Sequence, residues 1–149
     1  MEPSASARVR FARDLRGLYL AVRRIASQLR SHATLVPYDR VERALHALAD
    51  RADAQAATLA AELHALAGNP DPSDAEAPRL GRNHWECMTL DLADLEVLKR
   101  RYLDLALRWD VDFPASAATL TTLGHKVGSM SVIVRDMVAR SDPHAVRRP

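Results

Sequence analysis

The sequence has two long stretches without acidic residues. No Asp or Glu occurs between Asp14 and Asp39, and none occurs between Asp112 and Asp136. Each stretch covers the body of a predicted helix, so two of the four predicted helices carry no carboxylate in their interiors. Di-iron centres in four-helix bundles take a carboxylate from every helix. The missing acids therefore argue against that chemistry.

Features typical of exported and membrane proteins are also missing. Cys87 is the single cysteine, so an internal disulfide is impossible and a reducing compartment is favoured. The chain has no uncharged apolar run of about 18 residues, which a transmembrane helix would need. The segment MEPSASARVRFARDLR has no apolar run after its charges, unlike a secretory signal. We therefore expect a cytoplasmic protein without a transmembrane segment.

The composition and its periodicity predict helices. Only 5% of the residues are aromatic, whereas 48% are hydrophobic, mostly Ala and Leu. This balance favours helices that pack closely through small side chains. Apolar residues recur at steps of three and four, which predicts four helices at residues 9–35, 39–67, 82–109 and 114–141. Pro37 and Gly68 end the first two helices, and Pro114 opens the last.

The connections between these helices predict how they pack. Short turns after the first and third helices make two antiparallel hairpins, and the polar, Pro-rich residues 69–80 form a crossover linker between them. The predicted fold is an all-α, antiparallel four-helix bundle, formed by a single domain at residues 9–141. We expect flexible tails at residues 1–8 and 142–149 and a dry, apolar bundle centre. Asp39, followed by Glu42 three residues later, predicts a capping box at the start of the second helix.

Two segments resemble a known family. The segment ALHALADRADAQAATLAAELHALAGNP is an Ala-rich helix with acidic residues and a Gly-x-Pro stop, and DFPASAATLTTLGHKVGSMSVIVRDM is a final helix opened by a proline. With the layout of residues 10–141, they resemble the uncharacterised, stress-associated ferritin-like four-helix-bundle proteins of bacteria, distant relatives of rubrerythrin. The resemblance implies a ferritin-like bundle and a bacterial stress context.

The metal ligands of di-iron ferritin-like proteins are missing from this chain. In those proteins two helices each supply a Glu-x-x-His pair, and this sequence contains no such pair. Asp50 and Asp53 stand nearest to the second-helix pair, while His125 in the last helix has Thr122 three residues before it. Paired irons need several anionic oxygens. We therefore expect no metal centre of this kind and no cofactor.

An unconventional metal site is the alternative to this expectation. Its candidate ligands are Asp50 and Asp53, or His84 and Cys87, which lie three residues apart in NHWEC with Glu86 between them. A transition metal would need a further converging group. The simpler interpretation of His84 and Cys87 is the first turn of a helix.

The first helix carries a basic flank. Arg16, Arg23 and Arg30 recur every seven residues and form one charged side, which is a candidate anion-binding surface. The preferred interpretation is a solvated face that pairs with acids on the second helix, such as Glu42 or Asp50. Nucleic-acid binding is not favoured, because aromatic residues are not interleaved with the arginines and no nucleic-acid-binding motif is present.

The last helix is rich in small and hydroxylated residues. Gly124 and Gly128 share one face, and each costs about 1 kcal/mol relative to Ala in a helix. Close packing against a neighbouring helix or subunit is the preferred reason for them. The alternative is a groove for a small apolar ligand, lined by Met130, Val134 and Met137.

No motif for nucleophilic catalysis or phosphate binding is present in the sequence, so an enzymatic role is not favoured. We predict a non-catalytic protein that acts through self-association, as a homo-oligomer, or through a protein partner. The alternatives are a metal-binding protein with the unconventional ligands named above and a binder of anions through the basic first helix.

Overall fold

The computed structural model describes residues 2–66, 68, 71, 74–141 and 143. Four α-helices account for most of them: α1 (Ala5–Ala33), α2 (Asp39–Ala65), α3 (His84–Trp109) and α4 (Pro114–Arg140). No strand occurs within these described ranges. The predicted all-α four-helix bundle is therefore confirmed. None of the four helices is both long enough and apolar enough to cross a membrane.

The helices run in an up-down-down-up arrangement. Helix α1 packs on α2 and α3, and α4 packs on α3 and α2. Contacts between Arg24 and Asp94, and between Asp14 and Trp109, show that α1 and α3 are antiparallel. The linker after α2 must therefore cross the length of the bundle before α3 begins. Its described residue Asp74 bonds to Arg16 along this path, so the crossover linker is confirmed.

Each helix buries an apolar stripe, which holds the bundle together. Most helical stability in proteins comes from the packing of an amphipathic face, and each fully buried Leu, Val or Phe contributes about 1.5–3 kcal/mol. The predicted stripes of α1 and α4 are buried throughout: Phe11, Leu15, Leu18, Val22, Ile25, Leu29, Leu120, Leu123, Val127, Met130, Val134 and Met137. In α2 and α3 the prediction holds at most positions, and Val41, Leu66, Trp85 and Leu92 are only partly buried.

An aromatic cluster closes one end of the bundle. Phe11 stacks on Phe113 with ring centroids 4.5 Å apart, and Trp109 lies 5.2 Å from Phe11. The indole Nε1 of Trp109 donates to the carboxylate of Asp14 at 2.9 Å. Because Trp109 ends α3 and Phe113 precedes α4, these contacts fix the α3–α4 turn against the first helix.

One predicted helix start and one predicted helix cap are wrong. Helix α1 begins at Ala5, inside the predicted tail of residues 1–8, because the Ser4 side chain accepts a hydrogen bond from Ala7 N and caps the helix. The predicted capping box at Asp39 is also wrong, because Tyr38 occupies the N-cap position without a side-chain cap. Asp39 and Glu42 lie in the first turn instead, where negative charge still favours the helix.

Some predictions fall on residues outside the described ranges. These are residue 1 of the predicted N-terminal tail, the end of the second predicted helix at residue 67, residues 69, 70, 72 and 73 of the linker, and residues 142 and 144–149 of the predicted C-terminal tail. Gly68 is described, and its backbone N–H donates to Leu63 O at 2.8 Å, as expected at the end of a helix.

Gly124 marks a close approach of α4 to α3. A Cβ at this position would lie 3.0 Å from Leu103 Cδ2 and 3.2 Å from Tyr102 Cβ. At Gly128 the nearest atoms, 3.4 Å or more away, belong to the flexible side chain of Lys99. The predicted packing role is therefore confirmed at Gly124.

We expect alanine substitutions at these two glycines to change stability differently. Gly128→Ala should raise the free energy of unfolding by up to about 1 kcal/mol, since Ala is the better helix former and Lys99 can move. Gly124→Ala should lower it, because overpacking costs about 1–3 kcal/mol and the Cβ of buried Tyr102 cannot retreat without moving α3. Urea unfolding of both variants tests this difference. Equal stabilisation by both would show that the α3–α4 approach is not constrained.

Candidate functional site

A set of polar side chains lies buried between α1, α3 and the end of the linker. We call it the buried polar network, and it comprises Arg24, Gln28 and His32 on α1, Arg79 in the linker, and Asp91 and Asp94 on α3. Gln28, His32, Asp91 and Asp94 are all buried. The predicted dry, apolar centre is therefore wrong at the α1–α3 seam.

His32 bridges the helix and the linker through both ring nitrogens. Its Nδ1 lies 2.8 Å from Asp91 Oδ2, and its Nε2 lies 2.6 Å from the backbone oxygen of Arg79. A carbonyl oxygen only accepts, so Nε2 carries a proton, and a carboxylate at Nδ1 requires a proton there as well. This geometry suits the protonated ring, which can donate from both nitrogens.

Gln28 uses all of its hydrogen-bonding capacity. Its Nε2 donates to Asp91 Oδ1 and to Asp94 Oδ2, each at 2.9 Å. Its Oε1 accepts from the backbone N–H of Arg79 at 2.7 Å and from the guanidinium of Arg24 at 3.1 Å. Because both amide protons meet carboxylates and the oxygen meets donors, the amide has only one workable orientation.

Cations compensate the two buried carboxylates. Arg24 donates to Asp94 Oδ2 at 3.0 Å, and Arg79 Nη1 lies 3.1 Å from Asp94 Oδ1. His32 supplies a positive charge next to Asp91 when its ring is protonated. Buried charges are tolerated only when they are paired and hydrogen-bonded, and this network meets both conditions.

The surroundings of His32 raise its pKa above the ordinary value of 6.5. Burial alone lowers the pKa of His32, but the hydrogen bond and the charge of Asp91, together with the carbonyl of Arg79, outweigh the burial. The protonated ring is thus the form that the folded protein stabilises.

Two of the candidate metal ligands, His84 and Cys87, are buried at the start of α3. The Cys87 sulfur accepts a hydrogen bond from the backbone N–H of Gly81 at 3.2 Å. Burial raises the pKa of the Cys87 thiol, and that hydrogen bond only partly opposes the change. The His84 ring contacts Tyr38 edge-on, with centroids 5.9 Å apart. Cys87 is therefore held as a thiol, which is a poor nucleophile and a poor metal ligand.

The other candidate ligands, Asp50 and Asp53, lie on α2 facing arginines of α1. Arg30 bonds to both carboxylates, at 2.9 Å to Asp50, and Arg23 bonds to Asp53 at 3.2 Å. Asp50 is thus the partner predicted for the basic flank of α1. Among the described residues, no group of three or more His, Cys, Asp or Glu side chains is arranged to hold a metal ion.

The three arginines of the candidate anion surface all have acidic partners. Arg16 bonds to Asp74 at 2.8 Å, whereas Arg23 and Arg30 bond to α2. The structure thus places Arg16 against the linker and the other two against the neighbouring helix. An incoming phosphate would have to compete with these carboxylates for the guanidinium groups.

A second feature is an open groove along the seam between α2 and α4. The seam holds two open cavities, of about 750 Å³ and about 410 Å³. We define the α2–α4 groove by the residues that line them: Tyr38, Arg40, Val41, Ala44, Arg51, Ala54, Gln55, Thr58, Leu123, Lys126, Ser129, Met130, Val132, Ile133, Asp136, Met137, Arg140 and Ser141. The groove follows the seam at which the helices are least closely packed.

The floor of the smaller cavity contains a polar link. Tyr102 on α3 donates from its hydroxyl to Gln55 Oε1 at 3.0 Å, and Gln55 Nε2 lies 3.8 Å from the sulfur of Met130. Burial raises the pKa of Tyr102, so the hydroxyl keeps its proton and remains a donor. Near the turn end of α4, Ser116 donates to Glu62 at 2.7 Å and joins α4 to α2.

Sequence reasoning missed the buried polar network, although a signal for it was present. His84, Cys87, Asp91, Asp94 and Leu98 recur at steps of three and four, which places them on one face of α3. Acids at helical spacing with buried apolar neighbours indicate a polar seam. Gln28 and His32 form the matching pair on α1, four residues apart.

No protein-family model matches this chain, and a search of curated proteins found no significant match. The resemblance to ferritin-like proteins therefore stays a prediction from the sequence.

We expect Gln28→Leu to lower the free energy of unfolding by about 2–4 kcal/mol. The substitution removes two donors from buried carboxylates and leaves Arg79 N without its acceptor. Ser27→Ala is the matched control, because Ser27 is exposed on the same turn and should change stability by less than about 0.5 kcal/mol. Chemical denaturation measures both. A Gln28→Leu protein as stable as the parent would mean that the network contributes nothing net.

We expect the stability of the protein to fall as the pH rises above about 6.5. The pKa of His32 is higher in the folded state than in the unfolded state. Protonation of His32 therefore contributes fully to the free energy of unfolding below the unfolded-state pKa, and this contribution disappears as the pH rises through the folded-state pKa. The slope between these values is at most about 1.4 kcal/mol per pH unit. Unfolding between pH 5.5 and 8.5 measures it. His32→Gln should remove this slope, whereas replacement of exposed His125 by Gln should retain it.

Proposed function

We propose that this protein is a non-catalytic four-helix bundle that binds another protein chain along the α2–α4 groove. The observation that carries the proposal is the groove itself, with its apolar lining left uncovered between two helices. Exposed apolar patches of this kind are typical of interaction sites. Val132, which lines it, is 58% exposed.

The contrast with the other three seams supports this proposal. Ion pairs join α1 to α2 at Arg23–Asp53, α1 to α3 at Arg24–Asp94, and α3 to α4 at Glu96–Arg135. The α2–α4 seam is held by Ser116–Glu62 and the Gln55–Met130 contact, and the cavities lie beside them. A partner chain would cover the one seam that the bundle leaves open.

The state of the reactive side chains supports a non-catalytic role. The His32–Asp91 pair is enclosed and its atoms bond within the buried polar network, while the Cys87 thiol is buried. Catalytic groups need access to a substrate and a matched pKa. The His32–Asp91 pair instead joins α1 to α3.

A ferritin-like origin is part of the proposal. One long crossover between two helical hairpins is the connectivity of ferritin-like bundles, and the family resemblance adds a bacterial, cytoplasmic stress context. The partner is either a second copy of the chain or a different protein. The metal-binding and anion-binding alternatives receive less support, because Asp50, Asp53, Arg16, Arg23 and Arg30 are already ion-paired.

Site-specific photocrosslinking tests the proposed binding surface. A photoreactive benzoylphenylalanine in place of Val132 should give a covalent protein adduct when cells expressing the full chain are irradiated. The matched control carries the same group in place of Leu107, which is 80% exposed on α3 and does not line the groove. An adduct of twice the chain mass identifies self-association, and any other mass identifies a different partner. No adduct, or the same adducts from both positions, would contradict the proposal.

A further inference from the structure

We infer that the α2–α4 groove receives one amphipathic α-helix of another protein, with acidic residues on both sides of its apolar stripe. This inference rests on the proposed function, because it names the chemistry of the partner at the same surface. Three properties of the described residues carry it: the length of the groove, its apolar floor and the sign of its charged rim.

The dimensions of the groove fit a helix. The linings of the two cavities together extend on α2 from Tyr38 to Thr58, with a break between Ala44 and Arg51, and on α4 from Leu123 to Ser141. At 1.5 Å per residue, this span corresponds to about 30 Å, or about 20 residues of a docked helix. A helix in such a groove presents anchors at steps of three and four to two parallel walls. An additional helix would thus pack on α2 and α4 in the same way that α2 packs on α1 and α4 packs on α3.

The floor favours an apolar helical face over a polar ligand. Val41, Ala44, Ile133 and Met137 line the larger cavity, and Met130 lines the smaller one. Methionine side chains adapt their shape to different apolar partners, and alanine leaves room for a larger side chain.

The rim has a net positive charge. Four basic side chains and one acidic side chain line the groove: Arg40, Arg51, Lys126, Arg140 and Asp136. Arg140 pairs with Asp136 within α4. None of the ion pairs among the described residues involves Arg40, Arg51 or Lys126. These three cations therefore remain available to carboxylates of an incoming helix.

The same charges disfavour the protein's own chain as occupant. Two copies that met groove to groove would oppose one basic rim with another, and like charges at an interface reduce affinity. All four helices of a second copy are already committed to its own bundle. The C-terminal segment HAVRRP contains two arginines and no acid, so its charge also has the wrong sign.

Two synthetic helical peptides test the inference against the purified full chain. Both carry the same leucine stripe over about 20 residues, one with glutamates beside the stripe and the other with lysines. Fluorescence anisotropy at low salt should show about tenfold tighter binding of the glutamate peptide, the effect expected from several rim charge pairs. Added salt should reduce this preference.

Charge-reversal variants localise the effect. The triple variant Arg40→Glu, Arg51→Glu, Lys126→Glu should lose the preference for the glutamate peptide. The matched control is Arg8→Glu, Arg13→Glu, Arg100→Glu, which changes the net charge equally at exposed residues outside the groove. This control should keep the preference. Circular dichroism establishes that both variants remain helical, and a partial reversal at Arg51 and Lys126 alone should give an intermediate loss.

The remaining outcomes separate this inference from the proposed function. Equal binding of both peptides would overturn the acidic partner but leave a helix-binding groove. Failure of both peptides, with an adduct still formed at position 132, would overturn the inference alone. Failure of both without that adduct would overturn both proposals. Groove-dependent binding of duplex DNA in preference to the glutamate peptide would also overturn the inference.

Discussion

The carboxylate of Asp91, held between the ring of His32 and the amide of Gln28, ties together three parts of the chain. These residues lie on α1 and α3, and the linker joins them because the backbone N–H and C=O of Arg79 bond to Gln28 and His32. Because the backbone of Arg79 bonds to Gln28 and His32, α3 starts near the C-terminal end of α1. The buried polar network holds α1, α3 and the end of the linker in one register, which apolar burial alone does not fix.

The two sides of the bundle have different physical roles. The α1–α3 seam has its buried charges paired, and loss of one partner would leave an uncompensated charge in the interior. The α2–α4 seam lacks such a constraint and is the least closely packed. Its apolar floor and basic rim can therefore accept another chain without breaking a buried ion pair. In the proposed function, the ion-paired seam lies on the side of the bundle away from the binding surface.

Most of the fold was predictable, but the polar interior was not. Helix stripes such as Leu15–Leu18–Val22 repeat often enough to identify a buried face without knowledge of its neighbour. Gln28 and His32 are single polar residues, and their burial follows only from the presence of Asp91 across the seam. The cap of α1 was missed because Ser4 lies in a segment with a weak apolar pattern. At α2, the Asp39–Glu42 spacing fits a capping box, but the helix begins one residue earlier than that motif requires.

The sequence alone determined the number of helices, their buried faces and the absence of Glu-x-x-His pairs, because these features depend on local spacing along one chain. Only the tertiary structure decided which polar groups are buried. It also decided that Arg30 forms ion pairs with Asp50 and Asp53 and that the α2–α4 seam stays open. Each of these depends on distances between residues far apart in sequence. A periodic pattern predicts which face of its own helix a side chain lies on, but it does not predict which residues of the neighbouring helix that side chain contacts.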